Sequence, residues 1–271
     1  MIRRFIALFR ATRLTLHIGY GLIMAVAFPW FNLNIRRRIL QSWSSGLLAI
    51  FNVRIDIDDD NALHSLRRGL IVTNHISWLD VFVLNAVVPM RFVAKSEVRR
   101  WPVIGWLCAR AQTIFLERGK ARSAARINVQ MVALLQQGEC LAIFPEGTTT
   151  DGKQVAHFHS SLLQPAIDAG ALVHPVAIRY QDGDGVHSTA AAYIDDLSFG
   201  ASMWNILSTP ELHVRLLAAQ PLDAQALDRR ALTQAAHERI NASLHAAGSS
   251  NFHIPLTPVQ HTESILLPST R

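Results

Sequence analysis

Short apolar runs of strand length alternate with longer amphipathic stretches along this chain. That alternation predicts an α/β fold: a mixed, largely parallel central sheet flanked by helices. Two further observations complete the prediction. An uncharged apolar stretch near the N-terminus, bounded by arginines, predicts a helical membrane anchor ahead of the sheet. Residues with chemical capacity fall just after three of the strand-length runs, which is where open α/β sheets gather their ligands.

The anchor comes first. From Leu14 to Phe31 the only titratable groups are His17 and Tyr20, and the run approaches the roughly 20 apolar residues that one membrane helix needs. Gly19, Gly21 and Pro29 make it irregular, and Arg10, Arg13 and Arg36 to Arg38 flank both ends. The charge rule therefore gives no orientation, and a span and an interfacial or re-entrant anchor both stay open. Ala25-Val26-Ala27 has the small-x-small form of a signal-peptide cleavage site, but nothing downstream has a secreted character. Arg36 to Phe51 reads as a second helix, apolar at Ile39, Leu40, Trp43, Leu47, Leu48 and Phe51. Residues 1–50 thus read as a membrane-docking platform, or as helices that merely cover the sheet.

Residues 51–247 read as one α/β domain. Val53 to Ile57 alternates as a strand and ends in Asp58-Asp59-Asp60-Asn61, which lacks the spacing of a calcium loop and reads as a solvated turn. Strands are expected at Gly69–Val72, Arg91–Ala94, Thr113–Leu116, Cys140–Phe144, Leu172–Ile178 and Leu212–Leu217. Helices are expected at Val81–Val87, Ala121–Gln137 before Gly138, Ser160–Ala169 interrupted by Pro165, and Asp223–Ala247, with a short helix or turn over Trp101–Leu107. Residues 248–271, rich in Pro, Ser and Thr, read as a loose tail.

Composition narrows the partners. Hydrophobic residues make up 50% of the 271, charged residues 17%, and the net charge is +6; mean hydropathy is +0.19 and the pI about 10.0. An apolar, basic chain fits an anionic membrane surface or an acidic ligand. No nucleic-acid motif or aromatic-interleaved basic stripe is present, so no nucleic-acid partner is expected. Cys108 and Cys140 sit in unlike contexts without metal spacing, which fits a reducing compartment.

Three loops carry the chemistry. Thr73-Asn74-His75-Ile76-Ser77-Trp78-Leu79-Asp80 follows a buried strand. His75 with a carboxylate five residues on can form a base and its orienter, while Ser77-x-x-Asp80 is equally a capping-box-like signal. Arg118, after Ile114-Phe115-Leu116-Glu117, can fork onto a phosphate or carboxylate, or solvate a strand end. Phe144-Pro145-Glu146-Gly147-Thr148 puts a carboxylate on a turn. There Glu146 can accept from substrate hydroxyls and the N–H groups of Gly147 and Thr148 can face an anion, or the segment is an ordinary turn. His157-Phe158-His159 has no carboxylate or Cys at suitable spacing, and no metal is expected.

Taken together, these segments resemble the glycerolipid acyltransferase family, in particular its bacterial 1-acyl-sn-glycerol-3-phosphate acyltransferase type. Asn74 to Asp80 is similar to the family's His-x4-Asp block, Ile114 to Arg118 to its second block, Phe144 to Thr148 to its third, and Val173-His174-Pro175-Val176-Ala177 to its fourth, in the family's order. Phe92-Val93-Ala94-Lys95-Ser96-Glu97 is similar to its linking segment, and the resemblance covers about residues 50 to 200. It implies transfer of a fatty acyl group from acyl-CoA or acyl-carrier protein to a lysolipid hydroxyl, with no further cofactor. By resemblance His75 is the general base, Asp80 orients it, Arg118 holds the acceptor head group, and Lys95, Glu146, Gly147 and Thr148 belong to the substrate pocket. It also implies an enzyme on the inner (cytoplasmic) membrane, its catalytic domain facing the cytoplasm, often held by two N-terminal helices.

The chain departs from the family at one place. The third block of the phosphatidic-acid-forming members usually continues Thr-Arg-Ser, and here Thr149 stands for the Arg, with Thr150 after it. Phe158-His159-Ser160-Ser161 stands where a Lys- and Gly-bearing segment is common. Loss of a charge-assisted bond to phosphate costs roughly 1.5–3 kcal/mol. Lysophosphatidic acid is expected first as acceptor, with lyso-ornithine lipid or another less anionic lysolipid as the alternative.

Overall fold

A computed structural model of the chain describes residues 2–58, 63, 66, 68–117 and 121–249. Among the described residues, eight strands form one sheet: β1 (Val53–Ile57), β2 (Gly69–Thr73), β3 (Arg91–Lys95), β4 (Ile114–Leu116), β5 (Cys140–Ile143), β6 (Leu172–Gln181), β7 (Leu212–Ala218) and β8 (Leu222–Asp223). Their spatial order is β1-β7-β6-β2-β5-β3-β4, with β8 on β6. Strands β6, β2, β5, β3 and β4 run parallel, while β7 and β8 pair antiparallel with β6 and β1 runs parallel to β7. The sheet is therefore mixed and largely parallel, as the alternation of runs predicts.

Side-chain alternation divides the core into two layers. Ile71, Ala142, Val176 and Ile178 face one side. They pack there with α2 (Leu33–Phe51), α3 (Asp80–Val87) and α7 (Phe199–Ser208). Leu70, Val72, Leu141, Ile143 and Ala177 face the other side. Their partners are α5 (Ala121–Gln136) and α8 (Arg229–Ser249). Because β2 and β5 are covered on both faces, they read as continuous apolar runs rather than as alternating strands. In register, Val72 lies opposite both Ile143 and Pro175, so the loops that follow β2 and β5 leave the same edge side by side.

Several boundaries move. Pro165 does not interrupt a helix: a 3-10 turn over Ser160–Leu162 precedes α6 (Gln164–Ala169), and the proline sits in the first turn of α6, where its missing N–H leaves no bond unmade. β6 runs three residues past Ile178 because β7 continues to pair with it, Tyr180 opposite Val214. α8 begins at Arg229 rather than Asp223, since β8 and a 3-10 turn take up residues 222–226, and it ends at Ser249 inside the expected tail. The rest of that tail, and Asp59 to Asn61 of the acidic turn, lie outside the described residues. Over Trp101–Leu107 the structure has α4 (Ile104–Arg110). Helix α7, which the sequence reading passes over, is capped by Ser198, whose hydroxyl accepts from Ala201 N at 3.2 Å.

The N-terminal stretch is one long helix, α1 (Ile2–Ala27), followed by a 3-10 turn over Phe28–Trp30 that contains Pro29. Asn32 caps α2, its side chain accepting from Ile35 N at 3.0 Å, and α2 turns back along α1. Of the glycines that look irregular in sequence, Gly21 makes this pairing close, as does Gly46 in α2, while Gly19 faces open space. A Cβ on Gly21 would fall 2.4 Å from Trp43 Nε1, and one on Gly46 would fall 2.7 Å from His17 Cε1. The His17 and Trp43 rings stack at 4.9 Å between them. One face of α1 is buried, with Ala7, Leu14 and Arg10 inside. The guanidinium of Arg10 donates to Leu207 O, Thr209 O and Pro210 O at 3.1, 2.5 and 2.8 Å, fastening the helix along α7. The other face is apolar and bare: Phe5, Leu8, Leu16 and Ile23 are each more than half exposed. A helix over Phe5–Trp30 is long and apolar enough to cross a bilayer, and its bare face is a surface suited to membrane association.

Candidate active site

The site begins where β2 ends. Asn74 is fully buried, and its side chain takes the place of a strand partner: Oδ1 accepts from Ile178 N at 2.7 Å and Nδ2–H donates to Ile178 O at 3.0 Å. That clamp on β6 fixes where the next residue, His75, leaves the sheet. Asp80, the first residue of α3, then closes the turn. Its Oδ2 accepts from Ile76 N (2.8 Å), from Ser77 N (3.0 Å) and from His75 Nδ1 (2.9 Å). Its Oδ1 accepts from the Tyr180 hydroxyl at 2.7 Å. The capping geometry read from Ser77-x-x-Asp80 and the imidazole contact are therefore made by one oxygen.

This wiring fixes the imidazole. Two backbone N–H groups already point at Oδ2, so Oδ2 is an acceptor and Nδ1 carries the proton, leaving Nε2 with a lone pair. The ring stacks on Phe144, centroids 4.0 Å apart at 21°, and its side chain is 21% exposed while Asp80 is wholly buried. A histidine with an oriented Nδ1–H, an open Nε2 and an apolar wall can take a proton from an adjacent hydroxyl.

The loop after β5 grips the backbone of His75 from both sides. Glu146 Oε1 accepts from His75 N at 2.6 Å and Oε2 from Ala156 N at 2.8 Å. Thr150 N donates to His75 O at 2.8 Å. Thr149, standing where the family pattern has Arg, donates its hydroxyl to Tyr193 O, and Tyr193 N donates to Ile76 O at 2.9 Å. With both oxygens on backbone N–H groups and only 4% exposure, Glu146 shapes the site by tying its loops together. Gly147 N–H closes the turn by donating to Phe144 O at 3.1 Å, with φ at 67°, so it is not turned toward an anion.

Burial pushes the Glu146 carboxyl above its ordinary range, against the pull of the Ala156 and His75 N–H groups. A carboxyl raised in the folded state lends stability below its unfolded value, and that contribution is lost as pH rises through the folded one. Glu146→Gln must turn one N–H toward a backbone N–H, and is expected to lower stability by about 1–3 kcal/mol. The deficit relative to wild type should be largest near pH 4 and shrink as pH rises above it. Urea melts of both proteins across pH 4–8 check this, and a deficit that grows with pH contradicts it.

A mostly apolar cavity of about 510 Å³ opens on the site, its lining including His75, Phe144, Gly147, Thr148 and Thr149 together with α1 and α2 residues such as Leu14 and Leu47. Lys95, the last residue of β3, also lines it. The structure thus brings His75, Asp80, Glu146, Gly147, Thr148 and Lys95 to one strand edge. Arg118 lies outside the described residues. Sequence reasoning passes over Tyr180 and Tyr193. The signal for Tyr180 is that it continues the inward alternation of Val176 and Ile178; Tyr193, in a loop, has no such signal.

Comparison with known proteins supplies the family. Residues 54–179 match the family model described as Acyltransferase. The chain is 33% identical over 247 residues to a lyso-ornithine lipid O-acyltransferase of Pseudomonas aeruginosa, covering 88% of this chain and 93% of that protein. It is 35% identical over 208 residues to a 1-acyl-sn-glycerol-3-phosphate acyltransferase of Neisseria meningitidis, covering 76% and 81%. The fold matches the crystal structure of PlsC, the 1-acyl-sn-glycerophosphate acyltransferase of Thermotoga maritima, with a TM-score of 0.68 at 18% identity, over 92% of this chain and 97% of that one. With a relative one-third identical along nearly the whole of both chains, and the family match spanning the His75 and Glu146 loops, the chain belongs to the Acyltransferase family and is an acyltransferase of the PlsC type.

Proposed function

We propose that the site moves a fatty acyl group from acyl-CoA or acyl-carrier protein to the free hydroxyl of a lysophospholipid, foremost 1-acyl-sn-glycerol-3-phosphate, giving phosphatidic acid. The observation that carries this is the His75–Asp80 pair, with His75 in the wall of a mostly apolar cavity. His75 Nε2 takes the hydroxyl proton as the oxygen attacks the thioester carbonyl; the C–S bond breaks, and the imidazolium returns the proton to the leaving thiolate. Asp80 orients the ring and stabilises its charged form. No acyl-enzyme is needed, and neither cysteine is suited to form one: burial raises the Cys108 thiol and pushes Cys140 up to about 12. Arg118 and Lys95 supply positive charge for the acceptor phosphate, and Glu146, Gly147 and Thr148 shape its pocket.

A second acceptor has its own support. Thr149 and Thr150 bring no charge to the third block and are both engaged in loop bonds, which favours a less anionic head group, and one relative is named for lyso-ornithine lipid. A panel with labelled acyl donor decides between them. Lysophosphatidic acid is expected to exceed lyso-ornithine lipid and lysophosphatidylethanolamine in kcat/KM by about tenfold, the effect of one charge-assisted bond. The reverse order makes the second acceptor the right one, and free fatty acid without diacyl lipid makes water the acceptor.

The membrane placement draws its support from α1. Fastened along α7 by Arg10, it lies beside the catalytic body with its apolar face outward, which supports an interfacial anchor of residues 1–50 on the inner (cytoplasmic) membrane. The catalytic domain then faces the cytoplasm, where acyl thioesters are made, while the acceptor stays in the bilayer.

A further inference from the structure

We propose that Tyr180 is a positioning residue for the His75–Asp80 pair: its hydroxyl, donating 2.7 Å to Asp80 Oδ1 from the buried face of β6, fixes the plane of the carboxylate and tempers the charge it turns on the imidazole. The inference rests on the proposed role of His75 as base. Tyr180 stands one residue beyond the end of the family match, and nothing about the His-x4-Asp segment announces it.

The geometry allows the phenol one role. Tyr180 is wholly buried, in the core layer that also holds Ile76 and Leu79, and Asp80 is wholly buried beside it. The Asn74 clamp on Ile178 sets the level of β6 against the His75 loop, and Tyr180 comes two residues later on the same face. A register slip of one residue would turn that side chain to the opposite layer. Oδ1 faces the phenol while Oδ2 takes Ile76 N, Ser77 N and His75 Nδ1. Without Tyr180, Oδ1 would be a buried anionic oxygen short of a donor. Burial and the Asp80 charge also push the phenol well above its ordinary range, so it stays protonated and remains a donor wherever the enzyme works.

The consequence is electrical as well as geometric. Among the described residues, the titratable groups nearest the imidazole are Asp80 from α3 and Glu146 from the loop after β5, with Tyr180 from β6 behind Asp80. A hydrogen bond on the remote oxygen draws negative charge away from Oδ2. Removing it leaves a stronger anion against the ring, which holds its proton to higher pH.

Tyr180→Phe tests this with almost no change of volume. Expected are a kcat about tenfold lower, KM for acceptor and donor within twofold of wild type, and the acid limb of the kcat/KM profile moved to higher pH. p-Aminophenylalanine at 180, which keeps an N–H donor in place of the hydroxyl, should recover most of the rate and return the limb. A Phe variant with wild-type kcat and a superimposable pH profile overturns the proposal, as does an amino variant that stays as slow as Phe. Should the Phe protein not fold, 3-fluorotyrosine at 180, a stronger donor of the same shape, must move the limb to lower pH, and an unmoved limb overturns it. His75→Ala, run alongside, separates the two claims. Activity surviving there removes the base itself, whereas a dead His75→Ala with an unaffected Tyr180→Phe removes only the role of Tyr180.

Discussion

His75→Ala is expected to lower acyl transfer by about 1,000-fold or more, within the range by which a positioned base accelerates proton transfer. The fold should survive, for a structural reason. The bonds that anchor the His75 loop run through its backbone: N to Glu146 and O to Thr150. Alanine keeps both. Asp80 loses one of four donors but retains Ile76 N, Ser77 N and the Tyr180 hydroxyl. The stacked Phe144 loses a partner at the cavity wall, where 21% of the histidine side chain was already open to solvent. Circular dichroism melts within a few degrees of wild type, binding to vesicles unchanged, and no diacyl product above the uncatalysed background are the expected set. A variant that keeps more than a tenth of the wild-type rate removes the imidazole from the chemistry. The donor-only control matters as well: if wild type releases free fatty acid without acceptor as fast as with it, water and not a lipid hydroxyl is losing the proton.

Much of this was legible in the chain because it was written in short-range pattern. The continuous apolar runs of β2 and β5 declare strands covered on both faces, and His75 and Glu146 follow them closely enough that the parallel register alone brings them together. What the sequence hides is what each polar atom faces. Glu146 looks like a group waiting for substrate, but its oxygens hold two backbone N–H groups from segments 71 and 10 residues away. Thr149 and Thr150 look like a plain loss of charge, yet their hydroxyls tie the loop after β5 to Tyr193 O and to His75 O. Tyr180 lies 100 residues from Asp80, and a tyrosine continuing a buried strand carries no local mark that its hydroxyl has a partner. Gly21 looks like a break in an apolar helix, and becomes intelligible only when Trp43 is found lying over it. Local pattern sets the elements; long-range pairing decides which oxygen meets which nitrogen, and no spacing in one sequence encodes that.

Asp80→Asn is the second large effect, and its size follows from the same wiring. In a triad whose amide is free to turn, replacing Asp by Asn costs about 10,000-fold, because the amide nitrogen can face the histidine and force the wrong tautomer. Here the amide is not free. Ile76 N and Ser77 N both point at the oxygen that also meets His75 Nδ1. An amide nitrogen there would oppose two N–H groups at once. The asparagine oxygen must take that side, and its nitrogen must face Tyr180, whose hydroxyl turns from donor to acceptor. The correct tautomer is kept and the negative charge alone is lost. Asp80→Asn is therefore expected to lower kcat by about 100-fold, less than the loss from His75→Ala. With no anion to favour the imidazolium, the acid limb of the pH profile should move to lower pH, opposite to the shift expected for Tyr180→Phe. Asp80→Ala is a different experiment. It leaves Ile76 N, Ser77 N and the Tyr180 hydroxyl buried without partners, so it should unfold the turn rather than report on catalysis. The decisive readout is the pair of limbs. If Asn and Phe move them in the same direction, the carboxylate does not act on the imidazole through its charge, and its place at the turn is that of a helix cap.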